Sequence, residues 1–422
     1  MYDVCIIGAG PSGLMASIAA SAMGSRVVVI DKNKIPGKKL RLTGGGRCNV
    51  TNNRPTDDVI AHIPGNGKFL YSAFSQFDNF DIRDFFEQHG VPLVEEDHGR
   101  LFPATHKAKT IVDTLVNTAQ QQGVHFRYRT SVTAIMEENG QVTGVTLDNG
   151  ETLQAHSVIV ATGGMTYQYT GSSGDGYRLA KALGHHVTPL YPTEAPLVSD
   201  DTFIKDKTLQ GLSLRDVALS VVTDCDKKPL VTHHMDLIFT HFGLSGPCAL
   251  RCSMFVNQAL RQHKHVSVLL NLKPEMTAHD WEHFFTQSIK EDGNKSIKNA
   301  WHSFTQERYL RFLLHEAHID ENKPLKQLTK DEVIAFKEKA TALKITIVRT
   351  WPLEKAFVTG GGIQLKEVNP KTMESKQCQG LYFCGEVLDI NGYTGGYNIT
   401  AAFSTGYVAG IHAAETAQYF HF

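Results

Sequence analysis

The run Asp3-Val-Cys-Ile-Ile-Gly8 leads straight into Gly8-x-Gly10-x-x-Gly13, and this junction narrows the possible folds more than anything else in the chain. The run does not alternate between apolar and polar residues, the pattern of a strand buried on both faces. A helix rich in Ala and Ser follows to Met23, then a second buried run, Arg26–Ile30, which ends in Asp31. Strand, glycine turn, helix and strand make a βαβ unit, so an α/β class is expected. Gly8 makes the tight turn, Gly10 lets the backbone approach a pyrophosphate, and Gly13 lets helix and strand pack closely. Pro11 and Ser12 open a helix whose free N–H groups and positive dipole end suit phosphate oxygens. Asp31, 23 residues after Gly8 and followed by Lys32, is placed to accept hydrogen bonds from a ribose 2′-hydroxyl. That acid disfavours a 2′-phosphate, so FAD or NAD is expected in this slot rather than NADP.

Glycine placement extends the argument. Seventeen of the 36 glycines fall in the windows 8–13, 44–46, 163–176, 360–362 and 392–396, whereas Tyr177–Thr359 holds only five. The glycine-poor interval reads as an insertion into one nucleotide-binding domain. Its first part reads as strands (Leu214–Thr223, Leu230–Phe239, His265–Leu270). Its second part reads as helices, with capping-box starts at Thr277-x-x-Asp280 and Thr329-x-x-Glu332. Before the insertion, Val124–Ala161 reads as a meander with turns at Asn139-Gly140 and Asn149-Gly150, ending in Thr162-Gly163-Gly164.

The C-terminal window separates FAD from NAD. Leu381–Cys384 reads as a strand, Gly385-Glu386 as a turn, and Thr394-Gly395-Gly396-Tyr397-Asn398-Ile399 as the opening of a last helix. A plain NAD domain has no use for a second strand-to-helix site some 375 residues from the first. FAD has: Asp389 can bond its ribityl chain or pyrophosphate, and the helix from Gly396 can aim N–H groups at the flavin carbonyls. Between these windows, Lys39 precedes Gly44-Gly45-Gly46-Arg47-Cys48-Asn49, a segment suited to a backbone pressed against a planar ring or a phosphate.

In this order, GAGPSGL, LTGGGRCNVTN, FTHFGLSGP, VTGGGI, MESK and CGEVLDINGYTGGYN resemble the BaiN/YhiN-like FAD-binding flavoproteins, some of which are described as aminoacetone oxidases. The resemblance covers essentially the whole chain. It implies a Rossmann-like FAD-binding domain, of the glutathione-reductase/fumarate-reductase-like kind, interrupted by a β-barrel-like and helical insertion. On that reading the FAD domain spans 1–190 and 355–422. The insertion spans 191–354: β-rich over 191–272, helical over 273–343, and a return strand over 344–354. The resemblance also implies that Arg47, Cys48 and Asn49 lie close to the flavin and that the backbone at Val132 meets the adenine. Ile399-Thr-Ala and the all-glycine 360–362 depart from the family pattern, and both are expected near the substrate face of the flavin.

Net charge is −1 and the isoelectric point about 7.0, so the whole-chain field attracts neither nucleic acid nor an anionic membrane. The clusters Lys38, Lys39, Arg41 and Lys205, Lys207 could serve RNA, but the sequence has no aromatic-basic stripe. Seven cysteines without a C-x-x-C pair argue against a disulfide framework or zinc ribbon. His279-Asp-Trp-Glu282-His283 fits a zinc-helix pattern but lacks a visible third ligand, so no metal is expected. The pairs His185-His186 and His233-His234 read as loop or surface residues. No basic leader precedes Val4–Gly24, and a cytoplasmic protein is expected.

These readings converge on an FAD-dependent oxidoreductase acting on a small molecule, with NAD(P)H as electron donor and no nucleic-acid or membrane partner. The expected reaction is hydride transfer from flavin N5 to an electron-poor C=C or C=N bond. Oxidation of a small amine with O2 is the reverse alternative, and an FAD-binding RNA-modifying or interaction protein is the alternative of another class. His241, in Phe239-Thr-His-Phe-Gly243, and Tyr393 are the candidate proton donors, with Arg100 and His106 behind them.

Overall fold

The structure, a computed structural model, describes residues 1–225 and 228–419. The chain forms two compact units: Met1–Tyr191 together with the chain from Leu353 on, and Pro192–Pro352.

In the first unit a parallel sheet runs in the order His125–Tyr128, Val27–Asp31, Tyr2–Ile7, Thr152–Val160, Leu381–Phe383. The strands Tyr2–Ile7 and Val27–Asp31 are buried along nearly their whole length, as their unbroken apolar runs require. Strand Thr152–Val160 serves two partners. Its first residues pair antiparallel with Gln141–Leu147, which pairs in turn with Val132–Glu138; its last residues pair with Leu381–Phe383. The turns at Asn139-Gly140 and Gly150 have the positive φ that those dipeptides supply. The expected meander differs in one respect. His125–Tyr128 is no hairpin arm but a parallel edge strand beside Val27–Asp31, reached through helix Ala108–Gln121.

The second unit holds a seven-stranded antiparallel sheet, ordered Leu343–Ile347, Val266–Asn271, Ser213–Thr223, Val231–Phe239, Gly243–Ser245, Leu197–Val198, Arg349–Thr350. The first and last of these are separated in sequence by Val348 alone, so the sheet must curl back on itself. Val348 bridges the ends, its N–H donating to the Val198 carbonyl at 3.0 Å. Helix Pro247–Gln262 packs its buried Cys248, Cys252 and Val256 within the apolar core of this unit. Helices Ala278–Asp292 and Lys330–Ala342 start at the capping boxes of Thr277 with Asp280 and Thr329 with Glu332.

Two helices of the first unit touch backbone to backbone. A Cβ at Gly406 would lie 2.2 Å from the Ser12 carbonyl oxygen, and one at Gly410 would lie 2.3 Å from that of Ala16. Helix Tyr397–Gln418 is therefore seated directly on helix Pro11–Ala22, and the four-residue spacing of its glycines matches one turn of both. Alanine normally stabilises a helix interior by up to about 1 kcal/mol over glycine. For Gly410→Ala we expect the opposite, a loss of about 1–3 kcal/mol through overpacking, read as a lower urea midpoint at unchanged slope.

Candidate functional site

The glycines of the first turn do three different things. At Gly8 φ is +112°, and a Cβ would meet the Ala161 carbonyl oxygen at 2.5 Å. At Gly13 a Cβ would lie 1.9 Å from the Gly8 carbonyl oxygen, while at Gly10 nothing lies within 4 Å. Two of the three are thus closed against the protein's own backbone, and the third faces open space. Helix Pro11–Ala22 starts at Gly10 without a side-chain cap or an acid in its first turn. Helix Tyr397–Gln418 starts at Gly396 in the same way. Helices Asn79–Gln88, Ala278–Asp292 and Lys330–Ala342, by contrast, satisfy their first N–H groups with their own capping boxes. The two glycine-led ends keep N–H groups and a positive dipole end for an acceptor from outside.

Asp31 accepts from the Ala9 N–H at 2.8 Å and the Asn33 N–H at 2.7 Å, which leaves lone pairs on both carboxylate oxygens. The Thr130 N–H donates to the Asp31 carbonyl at 3.2 Å, drawing the turn before Val132 to the same place. The Val132 carbonyl accepts from Arg178 at 3.4 Å. Lys32 turns aside into an ion pair with Asp175.

The C-terminal window closes on the first. A Cβ at Gly385 would lie 2.5 Å from Ser12 Oγ, and the Gly385 N–H donates to Thr405 Oγ1 at 3.0 Å. Glu386 accepts from Lys39 Nζ at 2.8 Å, from the Thr359 N–H at 2.9 Å and from the Gly164 N–H at 3.4 Å. Lys39 also reaches Thr166 Oγ1 at 2.7 Å. Burial opposes ionisation of Glu386, yet the Lys39 ammonium and the two N–H groups outweigh it and hold the carboxyl below its usual range. This pair ties four separate segments together. Asp389 behaves oppositely: burial pushes its carboxyl up, with a Thr188 hydrogen bond opposing. The glycines at 361 and 362 serve close chain passage, since Cβ atoms there would meet the Pro189 carbonyl oxygen at 2.4 Å and the Leu388 carbonyl carbon at 2.6 Å.

Gly44, Gly45 and Gly46 are all left-handed, and at Gly45 and Gly46 a Cβ would meet nothing within 4 Å. Arg47 lies over the Phe102 ring at 4.2 Å and pairs with Glu96 at 2.6 Å. Cys48 is fully buried, and burial pushes its thiol up to about 12, so at neutral pH it is no thiolate. Asn49 is buried with its Oδ1 unpartnered, and a Cβ at Gly396 would approach that oxygen to 3.0 Å. Asn52 donates to the Gly395 carbonyl at 3.0 Å. The Thr162 hydroxyl, just past strand Thr152–Val160, is likewise buried and unpartnered. A Cβ at Gly163 would lie 3.2 Å from Ser172 Oγ.

Tyr397 is buried and stacks on His62, with ring centroids 4.8 Å apart; Tyr393 meets the same imidazole edge-on at 6.4 Å. His62, a lone histidine in a short helix-to-turn segment, carries no sequence signal that would single it out. Asn398 is consumed locally, accepting from the Gly392 N–H and donating to its carbonyl, and Ile399 is half-buried. The expected residues from 8 to 49, from 132 to 164 and from 385 to 399 thus share the first unit. His241 belongs to the second unit, on the exposed turn Thr240–Gly243. Arg100 is engaged by Glu96 and Asp97.

Two histidine pairs need correction. His185 is no surface residue: its buried ring lies between Glu367, at 3.2 Å, and Ser375, at 2.9 Å, and only His186 is exposed. His233 and His234 lie within strand Val231–Phe239, not in a loop, and of the two only His234 is exposed.

The family described as "HI0933-like protein Rossmann domain" matches residues 2–412. The chain belongs to this family. HI0933-like relatives with curated names extend along nearly all of it. A "Ribosomal RNA dihydrouridine synthase" of Escherichia coli (strain K12) is 33% identical over 407 residues, covering 96% of each chain. A protein of the same name from Haemophilus influenzae is 31% identical, over 96% of this chain and 97% of that one. A "3-dehydro-bile acid delta(4,6)-reductase" of Clostridium scindens is 28% identical, over 98% of this chain and all of its own. Among solved structures, 3-ketosteroid delta1-dehydrogenase from Sterolibacterium denitrificans has the same fold, with a TM-score of 0.55 at 13% identity over 98% of this chain and 99% of that one. The HI0933-like chain is accordingly an FAD-dependent oxidoreductase with a Rossmann-like α/β FAD-binding fold.

The residues present fit FAD. A ligand carrying a pyrophosphate in the middle of its span and a polar ring edge at one end needs open backbone, free helix ends and unsatisfied buried polar atoms. Gly10, Gly45 and Gly46 provide the first, Gly10 and Gly396 the second, and Asn49 and Thr162 the third.

The expectation that excluded nucleic acid does not stand, because relatives matched along almost their whole length are named for action on ribosomal RNA. Its grounds were a near-zero net charge and the lack of a basic-aromatic stripe. The first averages over the whole chain and the second inspects only neighbours in sequence, so neither bears on a local surface. Among the described residues no helix is long and apolar enough to cross a membrane.

The lowered carboxyl of Glu386 contributes stability above the unfolded-chain value of about 4.3 and loses it as pH falls through the folded value. Glu386→Gln should therefore melt lower than the parent at pH 7, and the gap should close as pH is lowered below about 4.3. Melting temperatures across that range check it; a gap independent of pH would refute the assignment.

Proposed function

We propose that this HI0933-like protein is a reductase of ribosomal RNA that converts a uridine to dihydrouridine at the expense of NAD(P)H. The observation that carries this reading is the 33% identity to the E. coli dihydrouridine synthase over 96% of both chains. The chemistry agrees with it. The uracil C5=C6 bond is electron-poor because it is conjugated to the C4 carbonyl, so a hydride adds at C6 and a proton at C5. Bound FAD supplies that hydride after taking it from NAD(P)H. Overall, NAD(P)H, a proton and uridine give NAD(P)+ and dihydrouridine. With one G-x-G-x-x-G in the chain, the nicotinamide visits the flavin face and leaves before the RNA base enters.

The residues take these roles. The helix end at Gly10, Pro11 and Ser12 holds the pyrophosphate. Asp31 accepts from the adenosine ribose, and the backbone at Val132 faces the adenine. Asp389 bonds the ribityl chain. Gly45, Gly46, Arg47, Asn49, Thr162, Gly396, Tyr397 and Ile399 border the ring. Cys48, Gly385 and Asn398 shape the backbone around it. Lys39 and Glu386 hold the segments at 39, 164, 359 and 386 in one place rather than touching cofactor. Tyr393 delivers the proton to C5; His241 is the second candidate for that step.

A second reading, reduction of a small conjugated enone, is favoured by the 28% identity to the bile-acid reductase. One experiment separates the two. The FAD-loaded protein is reduced without air by NADH or NADPH and offered either rRNA from cells lacking the gene or a steroid enone. We expect dihydrouridine by nucleoside mass spectrometry and reoxidation of the flavin by RNA. Reoxidation by the enone alone would overturn the RNA reading, and no bleaching by either nicotinamide would remove NAD(P)H from the scheme.

Burial raises the Asp389 carboxyl, so its ionised form costs stability above its folded value and costs nothing below the unfolded value of about 3.9. Asp389→Asn should raise the melting temperature of the FAD-free protein at pH 7 and yet weaken FAD retention. Unchanged flavin occupancy on gel filtration would contradict the ribityl role.

A further inference from the structure

We infer that Tyr167, Tyr169 and Phe357, with Lys38, form a stacking platform for unpaired RNA bases beside the Lys39–Glu386 pair. This rests on the RNA reading above, and it adds where the strand lies.

The three aromatic side chains come from segments nearly 190 residues apart. Tyr167 meets Tyr169 at 5.7 Å between ring centroids and Phe357 at 5.7 Å. Tyr169 is 65% exposed and Phe357 46%, an unusual state for adjacent large rings. The Tyr167 N–H donates to the Glu354 carbonyl at 3.3 Å, and Thr166 Oγ1 to the Phe357 carbonyl at 3.4 Å, so the two loops are joined by hydrogen bonds. Tyr167 itself has φ of +51°, a left-handed conformation that a bulky residue adopts only under constraint. Its strain accompanies the outward placement of the loop 167–169.

Charge supplies the second observation. From Lys32 to Thr56 the chain carries seven Lys or Arg and no acid. Lys32, Lys39, Arg41, Arg47 and Arg54 are each matched by a carboxylate from elsewhere. Among the described residues no carboxylate lies within 4 Å of Lys34 or Lys38, and Lys38 donates to the carbonyl of Tyr169, directly at the rings. Exposed aromatic faces flanked by uncompensated cations are what a single strand requires: bases stack on the rings and phosphates meet the ammonium groups. The platform adjoins the Lys39–Glu386 pair, because Thr166, next to Tyr167, is bonded to Lys39. A strand held there has its bases splayed within one residue of the Lys39–Glu386 knot. The chemistry demands this, since a uracil inside a duplex cannot present C6 to a flavin.

The test uses FAD-loaded full-length protein and a fluorescein-labelled oligouridine of about twelve nucleotides. Tyr169→Ala and Phe357→Ala should each raise Kd roughly fivefold to a hundredfold, with flavin content and anaerobic bleaching by NAD(P)H unchanged. Lys38→Gln should lower the salt slope of binding by about 0.7, as expected for the loss of one phosphate contact. An RNA duplex of the same length should compete poorly. Variants that bind the oligomer as the parent does would overturn the platform even if the parent makes dihydrouridine. A parent that binds through these rings but makes none would leave the platform standing and refute the proposed reaction instead.

Discussion

Everything at the candidate site depends on one contact, the backbone-to-backbone seating of helix Tyr397–Gln418 on helix Pro11–Ala22. Gly406 and Gly410 have no side chain to hold the two helices apart, so the carbonyls of Ser12 and Ala16 lie where Cβ atoms would otherwise be. That closeness brings the N-terminal ends of both helices into one unit, with Ser12 against Gly385 between them. A wider spacing would leave each helix end as a separate, weak acceptor site.

Around that pair the unit handles its charges in two ways. Glu386 is surrounded by donors and becomes a fixed carboxylate that binds four segments of chain together. Asp389, three residues on, is half-buried with fewer donors and stays costly to ionise. The contrast follows from the donors that the fold places around each carboxyl. The same logic distinguishes the helix starts. Capping boxes close helices Asn79–Gln88, Ala278–Asp292 and Lys330–Ala342, whereas Gly10 and Gly396 leave theirs open.

Much of this was legible in the residues. The strand–glycine–helix–strand order, the acid at 31, both capping boxes and the hairpin dipeptides are local signals, each acting within a few residues, and each is found in the structure. His185 was not legible, because its burial is imposed by Glu367 and Ser375, nearly 190 residues away. His62 was equally silent: its stacking on Tyr397 joins two segments that no periodicity connects. The exclusion of nucleic acid failed for the same reason. Basic residues from 32 to 41 and aromatic residues at 167, 169 and 357 are far apart in sequence and become a surface only when loops meet.

By itself, then, the sequence determined the α/β class, the place of the first turn and the identity of the cofactor type. Backbone freedom at glycine, β-branched burial and helix capping are properties of neighbouring residues. Tertiary structure decided which glycines face open space and which close against the chain, which carboxylates are neutralised, and which aromatics stand at the surface beside an ammonium with no carboxylate partner. Those outcomes depend on what the fold brings within a few ångströms, and short-range chemistry between distant residues is set by packing alone.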